Sequence, residues 1–282
     1  HWVIAHPEEA RSLLEGLLPA ELAALADWSR LEVEVARLDS PELVTRVPDA
    51  VCRAPLHGGG SLEIAIVSEH QSGPDDDMPF RMSVSQAMLW TEDARLGRAM
   101  SVCIGLVLHH GARPWPSPRT VRERFALPAE LDAALGPYLP SHPYLLIDLA
   151  TMTPAALAGL PLSSPLVRAT LFALQRAREA SAIEEELAYI EDDLRAIAAR
   201  SDAAQALTAL FSYLVAVVPD RVEPIRSRLN RTLSPDLEEL IMGTILDEYV
   251  EKGIAIGEAR GEARGEARGK AEGRAAMLID LL

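Results

Sequence analysis

The sequence predicts a mixed α/β fold with a wholly helical carboxyl-terminal half. Three observations carry this. Short apolar, strand-like runs are confined to roughly the first 150 residues, with helical periodicity after them. A helical segment lies between the strand ending at Glu69 and the strand opening near Ser101. Such a crossing allows a parallel neighbour beside an antiparallel hairpin, and hence a mixed sheet.

The elements follow in order. Residues 7–28 are predicted helical, because Pro7-Glu8-Glu9 puts proline and acids where a helix start prefers them. Leu13, Leu14, Leu17 and Leu18, then Leu22 and Leu25, give two apolar patches divided at Pro19. Residues 31–35 alternate strictly and predict a half-buried strand. Residues 49–55 and 61–69 are the next two strands, joined by the turn signal His57-Gly58-Gly59-Gly60-Ser61. Gly73-Pro74-Asp75-Asp76-Asp77 is a loop, and residues 78–98 are a helix with apolar positions at Met82, Ala87, Met88, Leu89 and Leu96. Residues 101–108 form an apolar strand. Residues 109–118 carry three prolines and must be irregular. Residues 144–149 are a further strand, 163–199 and 202–217 are helical, and Pro235 opens a long final helix. The expected organisation is a core over 1–160, a helical region over 161–233 and a long terminal helix over 234–282.

Composition bounds the function. With 282 residues, 49% of them hydrophobic and 24% charged, the chain buries a sizeable core. No apolar run approaches the roughly 20 residues that span a bilayer, and His1-Trp2-Val3-Ile4-Ala5-His6-Pro7 lacks the features of a secretory signal. Cys52 and Cys103 belong to no CxxC pair and are expected to be buried, reduced thiols. A cytoplasmic protein is the expectation. The net charge of -15 counts against tight nonspecific nucleic-acid binding. It leaves room for a DNA enzyme with a local basic rim, for which Arg46, Arg53, Arg81, Arg113 and Arg119 are candidates.

The most informative stretch is Glu69-His70-Gln71-Ser72, which closes the apolar run 62–67. Asp49 stands at the start of the preceding strand. A hairpin centred on Gly59 without a bulge would set Asp49 directly opposite Glu69, with Cβ atoms about 5 Å apart. Two bare carboxylates that close repel each other, and a divalent cation makes the arrangement favourable. A solvated, inert acid pair at a hairpin end fits the same spacing.

The order α-β-β-β-α-β resembles the core of the PD-(D/E)xK nuclease fold. The residues resemble one branch of it, the recombination-promoting nuclease family, also called YhgA-like transposases. The matching pieces are His6-Pro7-Glu8-Glu9-Ala10 with Leu13-Leu14, Leu18-Pro19 and Leu22, then Asp49 and Glu69-His70-Gln71-Ser72. Met78-Pro79-Phe80-Arg81 with Trp90 follows, then Val107-Leu108-His109-His110-Gly111 with Pro114-Trp115, and Leu146-Ile147-Asp148-Leu149. The match covers roughly residues 1–175. The segment 38–48 looks shortened against the family, and the chain begins at the first helix.

The resemblance implies a Mg²⁺-dependent DNA endonuclease linked to recombination or mobile elements. Asp49 and Glu69 would hold the cation with the backbone carbonyl of His70. Gln71 stands where most members of the fold carry lysine. It shares a strand face with residue 69 and can orient a water, although an amide is no general base at neutral pH. Weaker candidates for DNA contact are Arg81, Gln86, His109 and His110. Glu8 and Glu9 on the first helix and the acidic loop 75–77 are more simply a helix start and a solvated run, and Asp148 is expected to be structural. The alternative is a catalytically inactive, DNA-associated or self-assembling scaffold of the same fold. RNA cleavage would use the same chemistry.

The tail repeats Gly257-Glu258-Ala259-Arg260 twice more, at 261–264 and 265–268. A period of four on a helix of about 3.6 residues per turn stacks glutamates in one stripe and arginines in another. Like charges at i, i+4 and a glycine in every repeat make this helix weak alone. Pairing with another copy through opposite charges offsets this, so a homo-oligomer is expected. A solvated tail is the plain alternative.

Overall fold

The computed structural model describes residues 2–35, 49–69, 75–176, 187–217 and 222–245. A five-stranded mixed sheet runs in the order β1 (Glu32–Val35), β2 (Ala50–Pro55), β3 (Ser61–Glu69), β4 (Val102–His109) and β5 (Leu145–Asp148). The first three strands form an antiparallel meander, and β4 and β5 continue it in parallel. The mixed α/β class and the helical second half are as the sequence predicts.

The amino-terminal helical segment is broken into α1 (Trp2–Ala5), α2 (Pro7–Leu17) and α3 (Ala20–Ala23). Pro19 causes the second break: Leu18 before it is extended, at φ -71° and ψ 149°, because a residue preceding proline avoids the helical region. Trp28 follows in a 3-10 turn and donates its indole N–H to the Ala23 carbonyl at 2.7 Å.

The β2–β3 hairpin corrects the expected register. Pro55 pairs with Ser61 and Ala50 with Ile66, so the centre is Gly58 rather than Gly59. The loop closes between Leu56 and Gly60, with Gly59 and Gly60 both at positive φ, a region open to glycine. Extended by one pair, the register sets Asp49 opposite residue 67, with its N–H bonded to the Ile66 carbonyl at 2.8 Å. Glu69 lies two residues further along the same face, a diagonal neighbour at roughly 7–8 Å, instead of the direct partner.

The crossover from β3 to β4 is α4 (Met78–Arg95). It buries Met78, Met82, Ser85, Gln86 and Asp93, whereas Met88 and Leu96 are exposed. The expected apolar side is therefore turned partly outward. Polar anchoring explains this: Gln86 Nε2 donates to the Cys103 carbonyl at 2.9 Å, and Asp93 accepts from the Ser101 N–H at 2.9 Å. The helix sits close to the sheet because Gly105 has no side chain; a Cβ there would meet the Met82 sulfur at 2.8 Å.

The β4–β5 connection contains two helices the sequence did not announce, α5 (Val121–Arg124) and α6 (Ala129–Leu135). Beyond β5 come α7 (Pro154–Ala158), α8 (Pro165–Arg176), α9 (Glu191–Ala198), α10 (Ala203–Val217), α11 (Val222–Thr232) and a helix over 235–245. α2, α8 and their neighbours cover the sheet face opposite α4. One buried apolar cluster runs from Ile4 through Ile64, Leu106, Phe172 and Phe211 to Ile245. The two thiols are buried and free, and burial pushes both up to about 12. They occupy opposite faces, Cys52 opposite Ile64 and Cys103 beside Glu63. No described helix is long and apolar enough to cross a membrane. The repeats of the tail lie outside the described residues.

Candidate active site

The carboxyl ends of β3, β4 and β5 finish level. Register pairs Glu69 with His109 and His109 with Asp148, so these three positions form one row on the face that α4 covers. Asp49 enters the same end from the antiparallel side and is half-buried. Glu69 is placed here by its backbone, and His70 and Gln71 lie outside the described residues.

His109 is 5% exposed. Its Nε2 lies 3.0 Å from the Arg113 carbonyl, and its ring meets Trp115 edge-on at a centroid distance of 4.9 Å. A carbonyl only accepts, so Nε2 carries the proton, and in the neutral ring Nδ1 is left as a lone pair. Nδ1 is buried and has no hydrogen-bond partner among the described residues. Leaving such an acceptor unmet costs about 1–3 kcal/mol.

The segment after His109 is irregular, yet firmly held. Asp148 accepts from the Trp115 N–H at 2.8 Å and the Ala150 N–H at 3.0 Å, which spends both carboxylate oxygens on the backbone. Trp115 Nε1 donates to the Tyr144 hydroxyl at 2.9 Å, and that hydroxyl donates to the Pro118 carbonyl at 2.8 Å. Burial raises the Tyr144 phenol above its ordinary value. Arg119 bonds the Tyr144 carbonyl and lies over its ring at 4.8 Å.

The remaining sequence candidates separate by environment. Gln86 is 5% exposed, and its amide is spent between the Cys103 carbonyl and His142, 2.8 Å away, so it presents no group to a nucleic acid. Arg81 is half-buried and paired with Asp75 at 2.6 Å. His110 is buried. Glu9 is buried and engaged by Ser164 and by Arg200, the latter at 2.7 Å, so it serves the junction with the helical half. Glu8 is exposed. Of the candidate rim, Arg53 is locked to Glu63 at the far end of the sheet, Arg119 is tied to Tyr144, and Arg46 lies outside the described residues. Arg113, whose carbonyl orients His109, is exposed beside the row.

Asp148 is structural, as the sequence suggests; sequence reasoning missed the structural value of Trp115 and Tyr144. The available signal was the aromatic and proline density of 109–118, which demands external hydrogen-bond partners for an irregular backbone. Among the described residues, no group of three or more His, Cys, Asp or Glu side chains stands ready to hold a metal.

Comparison with known proteins adds an independent line. Residues 2–205 match the family model described as "Putative transposase, YhgA-like". Recombination-promoting nuclease RpnD of Escherichia coli O157:H7 is 32% identical over 130 residues, covering 44% of this chain and 49% of the relative. Recombination-promoting nuclease RpnC of Escherichia coli strain K12 is 38% identical over 80 residues, 28% of this chain and 26% of the relative. The chain thus spans about half the length of the first curated relative and about a quarter of the second. No solved structure matches. With the family model covering most of the chain and the same residues forming the sheet and its level strand ends, the chain belongs to the YhgA-like transposase family.

Proposed function

We propose that this chain is a divalent-cation-dependent endonuclease that hydrolyses DNA phosphodiester bonds in recombination or transposition, on a PD-(D/E)xK-like core. What supports it best is the strand register, which brings positions 49 and 69 to one end of the sheet, level with a buried histidine whose lone pair is unmet among the described residues. Two hard carboxylates and an unmet acceptor are a donor set that fits a divalent cation.

Asp49 and Glu69 would hold the cation, with the His70 carbonyl as a further oxygen. When bound, the cation supplies Lewis-acid charge at the phosphate and acidifies a bound water. The chain's own part is positional. Asp49 is fixed by its backbone bond to Ile66. Gln71 would align the attacking water through its amide, and the exposed Arg113 would face the phosphate. Mg²⁺ or another divalent cation would fill this role.

The test uses purified protein with supercoiled plasmid, in Mg²⁺ or EDTA, beside Asp49→Ala and Glu69→Ala. Nicking that requires the cation and falls by about 10²-fold or more in both variants is the expected result. Equal nicking by all three proteins would refute the assignment. The net charge of -15 favours a second reading, an inactive scaffold that keeps the fold; absence of any cation-dependent nicking, with the plasmid still retained, supports it.

A further inference from the structure

We propose that Nδ1 of His109 is itself a ligand of the cation at Asp49 and Glu69, and that the site therefore takes a borderline cation of the Mn²⁺ or Co²⁺ type in preference to Mg²⁺. The inference rests on the nuclease reading, to which it adds a ligand and a metal preference.

Four observations converge. The Arg113 carbonyl fixes the proton on Nε2, which turns Nδ1 into a lone-pair donor. A metal-binding histidine characteristically gives its other ring N–H to a carboxylate or a backbone carbonyl, and this one does so. Nδ1 is buried, on a residue only 5% exposed, with no hydrogen-bond partner among the described residues. Finally, His109 is the register partner of Glu69, one strand away, and strands stand about 4.8 Å apart. Nδ1 is the ring nitrogen nearer the backbone, so it stays close to that row while Nε2 reaches on to Arg113.

The ring is also held in place. Trp115 meets it edge-on, and the absence of a side chain at Gly111 leaves it room. Imidazole nitrogen suits borderline transition metals, whereas Mg²⁺ prefers oxygen throughout. Replacing one oxygen of the site by this nitrogen moves its preference accordingly.

Two substitutions separate the nitrogens of the ring. His109→Gln places an amide N–H where Nε2 stands, so it can keep the bond to Arg113 and loses the Nδ1 lone pair. His109→Asn places an oxygen where Nδ1 stands and loses the bond to Arg113. Binding of MnCl₂ and MgCl₂ to the full chain is measured by titration calorimetry, with the cation-free thermal midpoint of each variant as a control for folding. The expected result is Mn²⁺ affinity at least about tenfold weaker in His109→Gln, a smaller loss for Mg²⁺, and recovery of binding in His109→Asn. Unchanged Mn²⁺ affinity in His109→Gln, or equal losses in both variants, overturns the inference. Asp49→Ala distinguishes the two levels. If it abolishes Mn²⁺ binding while His109→Gln leaves it intact, the histidine ligand fails and the nuclease site stands. If Asp49→Ala binds as the wild type does, both fail.

Discussion

Gly111 shows how little space the His109 ring is given. A Cβ at that position would lie 2.4 Å from the ring Cε1 and 2.7 Å from Nε2. The ring cannot yield freely, because Arg113 holds one end and Trp115 one edge. Gly111→Ala is therefore expected to destabilise the chain by about 1–3 kcal/mol through overpacking, seen as a lower urea midpoint with an unchanged slope. An unchanged midpoint would mean that the 109–115 turn is softer than its hydrogen bonds imply. At this scale the acids and the His-His-Gly run were legible in the sequence, since residue type announces chemistry. The Nδ1 lone pair, unmet among the described residues, was not, because it depends on which nitrogen the Arg113 carbonyl claims.

Among the elements, α4 departs most from its pattern. Its inner side carries Gln86 and Asp93 as well as methionines, so hydrogen bonds to β4 and to the turn before it orient the helix as much as hydrophobicity does. Asp93 is buried, and the Ser101 backbone N–H, followed by the Ser101 side chain and Arg98, holds its carboxyl below the ordinary value. A carboxyl with a folded pKa below its unfolded value stabilises the fold above the unfolded value, near 3.8, and loses that contribution as the pH falls through the folded value. The Asp93→Asn variant should be less stable than the wild type at pH 7, with the gap narrowing below about pH 4. Denaturant titrations at both pH values check this, and a gap independent of pH would refute it. Periodicity could not foresee the orientation, because polar residues that satisfy a strand edge count as solvent-facing in any apolar pattern.

For the molecule as a whole, sheet and helical half share one interior. Leu166, Val167, Leu171 and Phe172 of α8 belong to the same buried cluster as Ile64, Ile66 and Leu106 of the sheet. Glu9 of α2 fastens the junction from inside, through Ser164 and Arg200. Two truncations test this arrangement. A chain ending at residue 160 strips α8 and the later helices from one face of the sheet, and its expected state is aggregated or without a cooperative unfolding transition. A chain ending at residue 256 keeps every described element and should retain the thermal midpoint; a lower mass in solution than the full chain's would locate self-association in the repeats, and an equal mass would remove it from them. Cooperative folding of residues 1–160 alone would show that the shared cluster is not needed to stabilise the sheet.

By itself the sequence determined the strands, their order along the chain, the helical second half and the acids proposed for the site. Each of these is written in local alternation, turn chemistry and residue type, which neighbours in the chain can express. The tertiary structure alone decided the Gly58-centred register that staggers Asp49 from Glu69, the level ends of β3, β4 and β5, and the burial of Gln86, Glu9 and His109. Those depend on how a loop closes and on which distant groups claim each hydrogen bond, and such competition between remote segments has no local signature.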